Sequence, residues 1–298
     1  MSLRAPLVRW VDQFLAKLIR SESLILKEWT GLADSVLEKP GKKRLCLFSH
    51  FDHDGKVDDY VVYFVKSLKA LGADILFIST SENLLESEIE KVRPYCVYLI
   101  QRKNIGLDFG SWQIGWARAN TLYNSVSRYD QLILANDSVY GPFFPMMELF
   151  TAMEKKNLDF WGVSSSEELT YHLQSYFLVF ESLAMKSEAL AGFWNRFLFY
   201  RSKGRIIQEY ETGLTRLALA NRWKIGAWVE FNRAKHQGVN STLFSWDTLI
   251  ENERFPFLKT EVLKLNRARS DRLPFWAEIL KTHSSYPVAL IQDHLNRI

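Results

Sequence analysis

The polar residues best suited to chemistry stand in three clusters, each closing an apolar run. In YDQLILANDSVYGPFFP, Tyr129 to Pro145, the run Gln131 to Ala135 stops at Asn136, Asp137 and Ser138, and Gly141 and Pro142 then turn the chain. A carboxylate flanked by an amide and a hydroxyl can hold a ribose or, through a divalent cation, a diphosphate. The same three side chains also suit a turn that bonds its own backbone. A second cluster, Ser49, His50, Phe51, Asp52, His53, Asp54 and Gly55, follows the strand Arg44 to Phe48 and stands where a nucleotide would be met. His50 and His53 have no third ligand at defined spacing, so an exposed turn competes there with a metal site. A third, Arg102 to Trp112, contains Asn104 and Gly106, which let the backbone turn closely, ahead of a helix whose free N–H groups face an anion. Asp108 or Ser111 would serve equally as a helix cap. No P-loop and no dinucleotide glycine fingerprint is present.

Smaller signals lie outside these clusters. Ser79, Thr80 and Ser81 put hydroxyls at another strand end, and Ser164 to Glu168 reads as a polar loop over a cleft. His172 and Gln174 open an aromatic strand running to Phe180, where they suit either an acceptor contact or a satisfied core position. Glu209 and Glu211 open a helix, as complements to its dipole or, for a carboxylate near a sugar carbon, as a general base.

The elements that must position these residues alternate. Strands are predicted over Arg44 to Phe48, Asp74 to Ser79 and Tyr95 to Ile100, and helices over Asp58 to Leu71, Glu82 to Val92 and the stretch running to Asn120. That succession argues for a doubly wound, mostly parallel α/β sheet with right-handed crossovers, which gathers the clusters at the carboxyl ends of its strands. Further on come a helix from Phe144 to Lys155, a strand from Asp159 to Val163, helices over Ala184 to Phe199 and Ile206 to Ala220, and the aromatic connector Phe255 to Lys259. Residues 1 to about 38 read as helical, with Leu3, Leu7, Trp10, Val11, Phe14, Leu15, Leu18 and Ile19 at helical spacing among Arg4, Arg9, Lys17, Arg20 and Lys27. This helix either packs on the domain or lies on an anionic membrane surface. The expected division is an amphipathic helical segment, 1–40, and an α/β domain, 41–298, whose two parts meet between 163 and 164.

Composition narrows the class. The net charge of +4 over 298 residues is mild and forms no long basic tract, which argues against nucleic acid as a partner. Cys46 and Cys96 provide neither a disulfide framework nor metal-ligand spacing, so a reducing cytoplasm is expected. No apolar run reaches the roughly 18 residues of a membrane span, and Asp12 and Lys17 interrupt the start where a signal peptide would need an apolar core.

Six motifs in order, GLDFGSW (Gly106 to Trp112), LANDSVYGPFFP (Leu134 to Pro145), DFWG (Asp159 to Gly162), HLQSYFLVF (His172 to Phe180), the EYETGLT helix start and FPFLK (Phe255 to Lys259), resemble the rhamnan synthesis protein F family. The resemblance covers roughly Arg44 to the C-terminus. It implies a GT-A-like nucleotide-sugar glycosyltransferase of bacterial surface polysaccharide (O-antigen or rhamnan) synthesis. Such an enzyme moves a sugar, rhamnose or another deoxyhexose, from a nucleotide diphosphate to a lipid-linked glycan, with inversion, at the cytoplasmic face of the membrane. On that resemblance Asn136, Asp137 and Ser138 occupy the place of the Asp-x-Asp motif with a single carboxylate, so Asp137 would be the ligand of an Mg or Mn ion. Asn104, Gly106 and Asp108, with Ser49, His50, Asp52 and Thr80, would touch the donor, and His172 and Gln174 the acceptor. Glu211 would be the base, with Asp108 as runner-up. A carbohydrate-binding or scaffold subunit that keeps the fold without turnover is the other class.

Overall fold

In the computed structural model, residues 13–231, 240–266 and 269–298 are described. Eleven strands appear among them: β1 Ile25–Thr30, β2 Arg44–His50, β3 Ala73–Ser79, β4 Tyr98–Arg102, β5 Gln131–Asn136, β6 Val139–Tyr140, β7 Phe160–Ser166, β8 His172–Leu173, β9 Phe177–Glu181, β10 Ile225–Val229 and β11 Leu258–Lys259. Nine form one sheet in the order β1-β4-β3-β2-β5-β9-β7-β10, with β8 beside β7. Strands β4, β3, β2 and β5 are parallel, β9 runs antiparallel between β5 and β7, and β10 is parallel to β7. The predicted α/β class, a mostly parallel sheet flanked by helices, is the one observed.

The central strands are apolar on both faces because helices cover both. Along β2 the alternation sends Cys46 and Phe48 to one face and Leu45 and Leu47 to the other. The first face packs under the helix Asp59–Ala70 with Phe64 and Phe77, and Phe48 and Phe77 stack at 5.6 Å between ring centroids. The second lies under the helix Leu107–Tyr123, whose Trp112 and Trp116 face inward. Both thiols are free and buried.

Several expected boundaries move. Residues 13–18 are helical, but Ser21–Leu24 is a 3₁₀ turn and Ile25–Thr30 is an edge strand antiparallel to β4, so the helix expected to residue 38 stops well short. The open edge of β4 offers a row of hydrogen bonds and a place to bury Trp29, and pairing outweighs helical spacing there. The described part of the segment 1–40 therefore contributes β1 to the sheet, and position 163 falls inside β7. The strand expected from His172 to Phe180 breaks into β8 and β9, and the helix over Glu82 to Val92 shortens to Glu86–Glu90. The helix over Ala184 to Phe199 splits into Ser182–Met185 and Glu188–Asn195, and the one from Ile206 opens with a π turn, Ile207–Glu211. The aromatic connector ends in β11, which pairs with β6 two residues beyond Asp137. No helix among the described residues is long and apolar enough to cross a membrane.

Candidate active site

Strands β3, β2 and β5 lie side by side and parallel, so their carboxyl ends, at Ser79, His50 and Asn136, open on one edge of the sheet. A cleft of about 590 Å³ sits over that edge, and its lining includes His50, Asp52, Thr80, Asn104, Asp108, Asp137 and Ser138. Seven residues picked out in the sequence, from four separate segments, thus share one wall. Ser49 and Asn136 stand behind Asp108: the Ser49 hydroxyl donates to its Oδ1 at 2.8 Å and the Asn136 amide to its Oδ2 at 2.9 Å. Burial raises the Asp108 carboxyl above its usual pKa, and these two hydrogen bonds and the Arg102 charge pull the other way.

Asp137 leaves the end of β5 with its Oδ2 accepting the Phe51 N–H at 2.8 Å. Its carbonyl takes the Tyr60 hydroxyl at 3.0 Å. Burial pushes the Asp137 carboxyl well above the ordinary range, and the nearby Asp108 charge adds to the rise. His50 approaches Asp137 Oδ2 at 3.9 Å. Burial lowers the His50 pKa to about 4, so the ring is neutral near pH 7 and this approach is no ion pair. Asn136 Oδ1 accepts both the amide and the hydroxyl of Ser138, which shapes the turn that the sequence suggested as an alternative.

Gly106 does not line the cleft. It starts the helix Leu107–Tyr123 at φ 89°, a conformation that glycine adopts without strain, and a Cβ there would meet the Gly110 Cα at 3.1 Å. Beneath it the buried Arg102 guanidinium donates to the carbonyls of Lys103, Ile105 and Leu107 and to the Ser111 hydroxyl. Arg102 thereby knits the loop that delivers Asn104 and Asp108.

The remaining selected residues lie elsewhere. Glu211 is outside the lining, with its Oε1 taken by the N–H and hydroxyl of Ser175 at 3.0 and 2.8 Å, although its charge is felt at Asp108. His172 is buried with Nδ1 at 2.8 Å from the Thr170 carbonyl. Gln174 belongs to a buried network, accepting from Ser164 and Thr242 and donating to Asn240. Neither reaches the cleft.

Apart from Phe51, the rest of the lining comes from parts of the chain that were read only as helices or not at all. Phe51 is half exposed at the rim, and Tyr60, Lys203, Thr260, Lys264, His294 and Arg297 complete the lining with it. The Thr260 N–H donates to the Ser138 carbonyl at 2.9 Å, which ties the chain after β11 to the acidic turn. Arg297 reaches Asp52, Asp58 and Asp54 at 2.5, 2.6 and 3.3 Å, and His294 Nδ1 lies 2.8 Å from the Tyr140 hydroxyl. The helix Ala289–Arg297 therefore braces both the loop after β2 and the turn after β5. Only Phe51, beside His50, carried a local signal. The others are brought in by tertiary packing.

A divalent cation fits this site only as one shared with a diphosphate. Asp137 lends a single carboxylate with one oxygen already bonded, and the described residues hold no group of three His, Cys, Asp or Glu side chains arranged for a metal.

The site thus stands on an open, mostly parallel α/β sheet with an acidic turn at the carboxyl end of a central strand. The chain belongs to the rhamnan synthesis protein F family, which it matches over residues 75–298. It is 32% identical over 146 residues to Virulence protein VirA of Vibrio anguillarum, an overlap of 47% of this chain and 44% of that one. It is 28% identical over 156 residues to Uncharacterized protein y4gN of Sinorhizobium fredii, 51% of this chain and 40% of that one. The chain spans less than half the length of these curated relatives. Among solved structures, a cytidylyltransferase from Leptospira borgpetersenii aligns with 12% identity over 83% of this chain and 100% of its own, at a TM-score of 0.38. The glycosyltransferase GlyE of Streptococcus pneumoniae aligns with 12% identity over 86% of this chain and 64% of its own, at 0.37. Overlaps this loose bear on neither residue roles nor reaction.

Proposed function

We propose that the chain is a nucleotide-sugar-dependent glycosyltransferase that moves a hexose, in keeping with its family a deoxyhexose such as rhamnose, to a hydroxyl of a lipid-linked glycan. The observation that carries this reading is the single cleft in which Asp108, Asp137, Asn104 and Thr80 meet over three parallel strand ends. In open α/β sheets that edge is where nucleotides lie. Asp137 and Asn104 would hold ribose or sugar hydroxyls, and the exposed face of Phe51 offers a nucleobase a ring to stack on. An Mg or Mn ion arriving with the diphosphate would rest on Asp137 and add positive charge at the leaving group.

Of the two carboxylates proposed as general base, Asp108 is the one on the cleft, and burial raises its pKa, which makes it a stronger base than a solvated carboxylate. Attack of the acceptor oxygen on the far side of the sugar carbon would invert it. The helix at the N-terminus would hold the enzyme reversibly against an anionic membrane surface, where a lipid-linked acceptor resides.

A thermal-shift screen over nucleotide sugars, with and without manganese, tests the donor, since a ligand that binds only the native state raises its stability. Release of free nucleoside diphosphate in the presence of donor and acceptor tests turnover. Donor binding without release would assign a carbohydrate-binding or scaffold subunit, and stabilisation by no nucleotide sugar would overturn the proposal.

A further inference from the structure

The charges around the cleft are unevenly satisfied. Arg297 neutralises the acidic loop, bonding Asp58 with two nitrogens while also reaching Asp52 and Asp54. Asp108 is held by Ser49 and Asn136. Lys264 and Lys203 line the same cleft, and neither ammonium group has an ion pair or hydrogen bond with a described residue. Lys264 stands on the helix Thr260–Leu265, which begins where β11 pairs with β6, so the register Lys259 to Val139 delivers it to the side of Asp137 and Ser138. Partial burial lowers the Lys264 pKa, and the Asp137 charge is the first of those that offset it. Both residues are exposed, and two ammonium groups on one polar cleft without a carboxylate partner within 4 Å offer a polyanion charge-assisted hydrogen bonds.

We infer that Lys264 and Lys203 form the wall that receives the two phosphates of a nucleoside diphosphate. This rests on the reading that a nucleotide sugar fills the cleft, and it names the groups that meet its charge. In the transfer, the bond from the sugar carbon to the phosphate oxygen breaks with its electron pair going to the diphosphate. The acceptor oxygen forms the new bond to that carbon, and its proton goes to Asp108. The lysines supply fixed positive charge where the diphosphate gains negative charge.

The test compares Lys264→Met, Lys203→Met and the double variant, which keep most of the apolar stem, by thermal shift and calorimetry. The probes are UDP, GDP, dTDP, CDP and inorganic pyrophosphate, each in EDTA and in manganese. The expected result is that the wild type binds pyrophosphate and at least one nucleoside diphosphate in EDTA, with at least tenfold weaker binding in each single variant. The double variant should show no detectable binding, while its melting temperature without ligand stays unchanged. Nucleoside diphosphate binding that is equal in the wild type and the double variant would overturn the lysine wall and leave the transferase reading intact. Pyrophosphate binding lost in the double variant, with no nucleotide bound by any form, would support the anion wall and remove the nucleotide-sugar reading. A wild type that binds none of the probes would overturn both.

Discussion

Asp108 and Asp137 show how one cleft gives two carboxylates different work. Asp108 is held from both sides, by the Ser49 hydroxyl and the Asn136 amide, yet lines the cleft. If Asp108 is the base proposed above, Asp108→Asn, which keeps its size, is expected to lower turnover by about 10²-fold to 10⁴-fold with little change in donor affinity. Glu211→Gln is expected to stay within a few-fold of wild type, and steady-state kinetics on the pair checks both. The opposite pattern would return the role to Glu211. His50 supplies a pH test. Its folded pKa, about 4, lies below the unfolded value, so the unfolded chain binds the extra proton as pH falls from 6.5 toward 4 and stability drops across that window. By pH 5 this amounts to about 2 kcal/mol relative to pH 7. His294, also lowered to about 4 by burial, adds in the same direction, while the raised carboxyls of Asp108 and Asp137 act in the opposite one. Denaturant midpoints at pH 7 and 5 should therefore fall less steeply for His50→Gln than for wild type, and parallel slopes would show that His50 is not held neutral.

At the scale of elements, the loop from Lys103 to Leu107 is governed by one buried side chain. Arg102 donates to the carbonyls of Lys103, Ile105 and Leu107, and their acceptance in turn compensates its buried charge. Arg102→Met removes the donors that tie these carbonyls together and is expected to cost about 1–3 kcal/mol by urea denaturation, the usual range for a buried polar group that loses its partner. Donor binding should weaken in the same variant, because the loop carries Asn104 and Asp108 to the cleft. Stability lost with donor affinity unchanged would mean the loop does not set the site. The C-terminal helix acts as a second brace through Arg297 and His294, which explains why groups almost 250 positions apart in the chain end in one wall.

For the whole molecule, the open question the fold sharpens is where it works. Phe14, Leu15 and Leu18 are exposed on the described part of the N-terminal helix, and residues 1–12, with Arg4, Arg9 and Trp10, lie outside the described residues. Because β1 belongs to the sheet, a truncation that tests membrane attachment must stop before it. Removing residues 1–20 is expected to abolish sedimentation with anionic liposomes, and raised salt should weaken attachment of the intact chain, each basic residue near such a surface contributing about 1 kcal/mol. A truncated protein with a lowered melting temperature, alongside an intact one that ignores liposomes, would place the helix against the domain instead.

Alternating apolar strands and amphipathic helices made the α/β class legible before any coordinates. Because chain direction puts every parallel strand's polar tail at the same edge, Ser49, His50, Thr80, Asn104, Asp108 and Asp137 were legible with it. That information is local: it depends on side-chain period and on residues that stop a strand. The helix expected through residue 38 failed for a non-local reason, since only the assembled sheet has a β4 edge for Ile25–Thr30 to pair with. His172 and Gln174 carried the same polar signature as the cleft residues, yet their hydrogen bonds are satisfied within the core, and only packing separates those two cases. Lys203, Lys264, His294 and Arg297 are ordinary basic residues in the sequence. They line the cleft because β11 pairs with β6 and the last helix packs beside the first long one, so their place in it was decided by the tertiary structure alone.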